Sequence, residues 1–528
     1  MSAPKSTIYV CSGVRLDPRY EHSIYFENAT AQQEYFAGKV AHTFSAYSYL
    51  RKSWPIQVDA TMEQAKTWSY LFFRNGTGKF YYYFITNVEY KSENSVLLTL
   101  ELDVLQTYLF DFDLLDCFVE RQHTTTDGIG EHTLDEGLEV GDLKDLEVVD
   151  WEALKELCIL VLATFNPNYA DTTEPVQALS GMYDGVFSGL KVWAVSAAQW
   201  QQWGNQLDNL AEAGFLDGII SMWMYPKALV RLGGENTWED DDLCKTVEGC
   251  QAVANFKNVT RPTKVDYYEP RNNKLLCYPY NFLYVSNNSG GSAVFRYERF
   301  ITGGADFKVQ GSLSPDAPVK MWPVNYNGIT NYEQGLTLGA FPACAWDADV
   351  YKMWLAQNQN QQGLAYATAG SQVIGGAVAG IASLATGNLV GVGAGALTAV
   401  SGAHQIAGLL AQKADMAIQP PQSRGSFSAN VNVTAGKQTF TFYKKTVTAE
   451  TARVLDDYFT MYGYKLNRVQ KPNIHARPAF TYIKTVGCHI QGAMCTEDVT
   501  KIETIFDHGI TFWVNGDKVA DYSQNNTP

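Results

Sequence analysis

Several residue groups in this 528-residue chain have the types and spacings from which chemistry is built. Paired carboxylates stand at Asp111/Asp113 and at Asp456/Asp457, the residue type that hydrolyses glycosidic bonds. A glycosidase needs its two acids facing each other across a cleft, which adjacency in sequence does not provide. Both pairs are therefore expected on solvated faces or turns. His123 and His132 are the right type for metal ligands, but in the polar stretch HTTTDGIGEHTLDEGLEVGDLKDLEVVD they are expected to be solvated. The nine cysteines are scattered and form no CxxC pair. Cys244–Cys250 and Cys488–Cys495 have the wrong spacing for a zinc ribbon, so reduced thiols and no metal are expected.

Glycine-rich stretches give equally little. Gly76-Thr77-Gly78-Lys79 lacks the first glycine and the final hydroxyl of a phosphate loop, since Phe73 and Phe80 occupy those places. Gly391-Val392-Gly393-Ala394-Gly395 lacks the preceding strand of a dinucleotide-binding unit. There is no GxSxG, HExxH or EF-hand loop, so no catalytic residue, cofactor or metal is expected. Trp200 and Trp203 could stack on sugars, but their spacing with Leu207 and Leu210 predicts the buried stripe of a helix over 196–214.

The strongest chemical signal is apolar. From Met353 to Gln412 there is no Asp, Glu, Lys or Arg. Ile374, Val378, Ile381, Leu384, Leu389, Val390, Leu397, Val400, Ile406, Leu409 and Leu410 make this segment too apolar for a flexible linker. It divides at Ala385-Thr386-Gly387-Asn388 into arms of about 22 residues, Gly363–Leu384 and Leu389–Leu410. As helices these would be roughly 33 Å long, against a hydrocarbon core of ~30 Å. Gly376–Gly380, Gly387–Gly391 and Gly391–Gly395 have the small-xxx-small spacing that lets helices approach closely. Ala and Gly dominate, and each aliphatic residue gains only ~0.3–0.6 kcal/mol on insertion, so one copy inserts marginally and several together insert well.

The elements that must carry this segment are mostly strands. Aromatic content is 13%, with 31 Tyr, which favours a mainly β fold with some α. FFRNGTGKFYYYFITNVEY (Phe72–Tyr90) places Asn75-Gly76 between aromatic runs, a hairpin. DYYEPRNNKLLCYPYNFLYVSNNSGGSAVFRYERF reads strand, turn, strand; QTFTFYKKTVT reads strand; ETARVLDDYFTMYGY reads amphipathic helix. TYIKTVGCHIQ and GITFWVNGD are expected to be extended, and TWEDDDLC a solvated acidic loop. Length suggests three to four domain-sized units. The expected division is 1–122 (β), 123–265 (mixed α/β), 266–352 with 421–528 (one interrupted β unit) and 353–420 (the apolar loop). A formal charge of −15 argues against a surface that grips nucleic acid, though not against one that nucleic acid slides past. The N-terminal residues MSAPKSTIYVCSGVRLDPRY contain no apolar run of signal-peptide length, so export by that route is not expected.

Several of these stretches resemble one family. YFEN and YSYLRK near the start, FYYYFITNVEY, LELDVLQTY, YEPRNNKLLCYPYNFL from Tyr268, and above all DYFTMYGYKLNRVQKPNIHARPAFTYIKT (Asp457–Thr485) followed by GITFWV are similar to the tail-knob (distal tail-tube) proteins of small short-tailed phages. The likeness is found at both ends and not over about 125–265. It implies a non-enzymatic virion protein at the distal tail, assembled in the host cytoplasm. It further implies a homo-hexamer joined to other tail proteins, with tail-tube-like β domains around a lumen that viral DNA traverses without specific binding. Residues 365–411 would be the long hydrophobic loop that plugs the lumen and then forms a pore in the host membrane. A wall-glycopolymer adhesin and a wall-degrading enzyme are the competing readings.

Overall fold

In the computed structural model the described residues are 5–48, 55–76, 78–163, 165–168, 181–183, 186–188, 191–213, 219–288, 291–301, 304–311, 313, 319–327, 336–338, 343–347, 426–428 and 439–528. They are mainly β, with a few helices. The chain divides into two compact units and passes between them four times. The first comprises Met1–Lys144, Thr263–Tyr280 and Val447–Pro528; the second, Asp145–Pro262 and Asn281–Thr446.

Two sheets organise the first unit. One has six antiparallel strands in the order Val40–Ser48, Lys5–Ser12, Trp68–Arg74, Phe80–Ser92, Ser95–Leu102, Ile56–Val58. Ser95–Leu102 alternates strictly, burying Val96, Leu98, Leu100 and Leu102, as expected of a strand with one face on a core. The Asn75-Gly76 hairpin forms between Trp68–Arg74 and Phe80–Ser92. Asn75 Oδ1 accepts from Lys79 N at 2.8 Å, and Lys79 Nζ pairs with Asp111 at 2.6 Å over the Tyr108 ring. Gly78 and Lys79 thus bond back to Asn75 as in a turn, and the lysine is occupied.

The other sheet has five strands in the order His22–Ile24, Ile510–Trp513, Phe480–Val486, Cys117–Gln122, Tyr464–Gln470. Its fourth strand, Cys117–Gln122, has ladder partners from the C-terminal region on both sides. Between the extended stretches near the end lies a helix, Thr496–His508, which the sequence reading did not anticipate. It buries Asp498, Ile502, Ile505 and Phe506, a stripe narrow enough to be masked by the threonines and acids around it.

In the second unit a seven-stranded sheet centres on Leu157–Ala163, buried at all but one position because both of its faces are covered. The expected helix is Trp200–Glu212, with Trp200, Trp203, Leu207 and Leu210 all in the core. The acidic run ahead of it in space is less simple than expected. Asp240 and Asp242 point their backbone carbonyls at the fully buried Lys245 ammonium, at 2.9 and 2.8 Å. The strands Asn281–Ser286, Ser292–Phe295 and Thr441–Val447 pair as their patterns indicate.

Residues 447–528 group with the N-terminal strands, and 281–446 with the middle of the chain. The change of partner falls within two residues, where strand Thr441–Val447 ends and Thr448 caps the helix Ala449–Tyr462. That helix ends at Gly463, whose φ of 64° and ψ of −151° only glycine adopts readily. A Cβ there would stand 2.5 Å from the backbone of Gln122 and His123. Gly463→Ala should therefore cost about 3 kcal/mol or more, since strained dihedrals add to a backbone clash that no rotamer relieves. Urea denaturation of the two proteins checks this; a shift below about 1 kcal/mol would contradict the close approach.

Candidate functional site: a buried polar junction

Three chain segments of the first unit, 121–136, 268–280 and 456–477, meet around two buried carboxylates. Asp456 lies on the helix Ala449–Tyr462, within the buried stripe of Ala452, Leu455, Phe459 and Thr460. Its carboxylate is fully buried and accepts from Tyr268 Oη (2.6 Å), Arg271 N (2.9 Å), Arg271 Nε (3.3 Å), Asn272 N (3.0 Å) and Asn272 Nδ2 (2.7 Å). Asn272 Nδ2 also reaches Thr460 Oγ1, and its Oδ1 accepts from Tyr464 Oη at 3.1 Å. Neighbouring Asp457 remains exposed and pairs with Arg271.

Glu136 is the second hub. Its fully buried side chain pairs with both Arg121 and Lys274, and accepts from Lys465 N at 3.1 Å. Lys274 Nζ also donates to Leu134 O, and Arg121 Nη1 to Gly463 O, both at 2.8 Å. The Arg121 guanidinium lies 4.9 Å from the Tyr458 ring centroid. Burial holds the Lys274 ammonium below the usual lysine range, against the opposing pull of Glu136. Charges taken this far from water persist only when nearly every lone pair and proton is matched, as they are for the carboxylates of Asp456 and Glu136.

His123 belongs to the same junction and is 2% exposed, which corrects the expectation of a solvated loop residue. Tyr482 N donates to its Nδ1 at 2.8 Å, so the proton sits on Nε2 and is given to Thr460 O at 3.0 Å. Both nitrogens are used by the backbone, which leaves none for a metal. His132 is half-buried and stacks on Tyr464 at 4.4 Å. The carboxylate pairs separate in the same way. Asp111 and Asp113 are exposed, as expected, whereas Asp456 is buried and committed to five donors, against expectation. Neither pair is presented to a cleft as acid and base. Among the described residues no group of three or more His, Cys, Asp and Glu could hold a metal ion.

The sixteen residues expected to act on a membrane, Ile374 to Leu410, lie outside the described residues. Among the described residues no helix is long and apolar enough to cross a membrane. What sequence reasoning missed is the junction. One signal was available for Asp456, a charged residue on the apolar stripe of an amphipathic helix. None was available for Glu136 or Lys274, which look like ordinary loop charges.

Two of the segments that build the junction, YEPRNNKLLCYPY and DYFTMYGYK, are among those on which the family likeness rests, and comparison with known proteins bears that likeness out. Residues 4–113 match the family of caudoviral major tail proteins at its N-terminus, so the six-stranded sheet lies in a region of phage-tail type. Residues 250–527, more than half of the chain, match the C-terminal domain of the Bacillus phage phi29 tail knob protein gp9, and the chain belongs to that tail knob family. It is 27% identical to the tail knob protein gp9 of Bacillus phage B103, over 98% of both chains. It is 24% identical to that of Bacillus phage phi29, over 99% of this chain and 98% of the relative. These alignments run through the middle region as well, where the sequence reading found no likeness. The tail knob protein gp12 of bacteriophage C1 shares the fold, with a TM-score of 0.65 at 12% identity over 98% of each chain.

Two outcomes follow from the junction. Asp456→Ala should destabilise the protein by about 3–5 kcal/mol, because it strands buried donors, including part of a guanidinium; denaturant titration measures it. The pH dependence centres on His123, which burial, with Arg477 nearby, pushes down to about 3 from 6.5. The unfolded chain binds this proton below pH 6.5 and the folded chain only near 3, so stability falls as pH drops through that window. The slope is at most ~1.4 kcal/mol per pH unit for one group. Asp103, pushed up to about 6 by burial, acts in the opposite sense, losing its contribution as pH rises from 3.8 to 6. The comparison with His123→Gln isolates the histidine: the variant's acid slope between pH 6.5 and 4 should be shallower, and parallel curves would remove His123 from the account.

Proposed function

We propose that this chain is a non-enzymatic structural protein of the distal phage tail, with six copies closing a tube beside other tail proteins. In this reading the apolar segment 353–412 plugs the lumen before infection, then leaves it and forms a pore in the host membrane through which the genome passes. The observation that carries the reading is the absence of any Asp, Glu, Lys or Arg from Met353 to Gln412 in a chain of net charge −15 that belongs to the tail knob family. Two arms of about 22 residues fit the hydrocarbon thickness, and the marginal gain per arm suits a segment held in water until several copies act together. A strongly acidic assembly would repel a passing polyanion and not retain it.

Dye release from liposomes tests the membrane step, with mild acidification as one trigger. The chain as it stands should release dye; a protein lacking 363–412 should assemble normally and release none. The variant Ile374→Asp, Val378→Asp, Ile381→Asp should also fail, because each charge costs about 2.5–3.5 kcal/mol at a helix centre and the three together exceed what the remaining aliphatics gain. Equal leakage from all three proteins would end the proposal, and a ring of other than six copies in the virion would end its hexameric part.

A further inference from the structure

We propose that a cleft on the first unit, between residues 124–134 and 465–476, binds a phosphodiester-linked polyol chain, the type of anionic, hydroxyl-rich polymer carried on cell surfaces. The cleft has a volume of about 510 Å³. It contains no residue of 353–412, so it is independent of the pore-forming reading and stands or falls separately.

Its cations are brought together by a β-bulge. In the ladder between the edge strand Tyr464–Gln470 and Cys117–Gln122, Lys465 lies opposite Arg121 and Arg468 opposite Val119. Three steps on one strand thus match two on the other, and Asn467 absorbs the extra residue at φ 46°. In a regular strand residues three apart point to opposite faces; the bulge puts Lys465 and Arg468 on the same one. Lys471 follows just beyond the strand, and all three line the cleft. None of them has a carboxylate within ion-pair distance among the described residues, in a chain where 55 acids outnumber 40 Lys and Arg. Arg468 donates Nε to Gln470 Oε1 at 2.6 Å, which leaves its terminal N–H groups for a ligand.

The opposite wall supplies hydroxyls and little negative charge. Thr124, Thr125, Thr126 and Thr133 line it, with Glu131 as the one acid in the lining. Glu131 is engaged locally, its Oε2 accepting from Gly128 N at 2.9 Å. The wall is held in place by His132, which stacks on Tyr464 and contacts Thr124 Oγ1 and Thr126 O, each at 3.2 Å. Gln122 Oε1 fixes the far end by accepting from Asn473 N. Cations matched to spaced phosphates, and threonines and amides matched to the hydroxyls between them, fit a polyol phosphate. The lining has no Trp, Tyr or Phe. Its one aromatic ring, His132, is already stacked on Tyr464, so the lining is poor in the platforms on which single-strand nucleic acid bases and the faces of neutral sugars stack.

The test uses the full chain and poly(glycerol phosphate) of defined length, titrated calorimetrically at 50 and 200 mM salt. A single-stranded oligonucleotide with the same number of phosphates is the control. The protein should bind the polyol phosphate at least ten-fold more tightly than the oligonucleotide. Lys465→Gln, Arg468→Gln, Lys471→Gln together should weaken binding at least ten-fold and lower the salt slope by about 2, at ~0.7 per phosphate contact. Thr125→Val should weaken binding of the polyol phosphate and leave the oligonucleotide unaffected. Should the triple variant fold poorly, the exposed Lys471→Gln alone should give about a three-fold loss. No binding by the intact chain, unchanged binding by the variants, or equal affinity for the oligonucleotide would each overturn the proposal, the last by reducing the cleft to a patch of positive charge.

Discussion

Taking two carboxylates out of water constrains the first unit more than any other single interaction. Asp456 and Glu136 are both fully buried, and neither can be so unless donors arrive from elsewhere in the chain. Those donors come from Arg121, from Tyr268 to Lys274 and from Lys465, segments separated by up to about 340 positions. The junction is therefore all-or-none. With one segment absent, an uncompensated charge would be left in a low-dielectric interior, and the other two could not remain folded around it.

This constraint explains why the chain can leave the first unit and return without losing its register. Residues 263–280 form little regular structure, a two-residue hairpin and a short 3-10 turn, and contribute few ladder hydrogen bonds. Their place is set instead by Asn272 and Asn273, which bond to Asp456 and Asp127, and by Lys274. The strand Cys117–Gln122 then takes Tyr464–Gln470 on one side and Phe480–Val486 on the other, and Gly463 allows the helix before them to end against its backbone.

The same edge strand serves two demands. The Tyr464 hydroxyl and the Lys465 backbone N–H complete the junction, while the bulge at Asn467 puts the side chains of Lys465 and Arg468 on the cleft. A bulge weakens pairing locally, and an edge position next to a tightly bonded core is where that loss is smallest.

Local pattern was enough for much of this. The hairpin at Asn75-Gly76, the helix of Trp200 and Trp203, the strands Asn281–Ser286 and Thr441–Val447, and the helix Ala449–Tyr462 all follow from periodicity and turn chemistry. So does the mainly β class, and the quoted segments sufficed for the family. Tertiary structure alone decided the environment of individual polar residues. His123, Asp456 and Glu136 read as solvated because charged and polar side chains usually are, and their burial depends on neighbours more than a hundred positions away. The grouping of the chain into its two compact units rests on equally distant partners. Whether residues 447–528 join the segment before them or the strands at the chain's start is settled by ladder pairing and desolvation, and neither leaves a mark in local sequence.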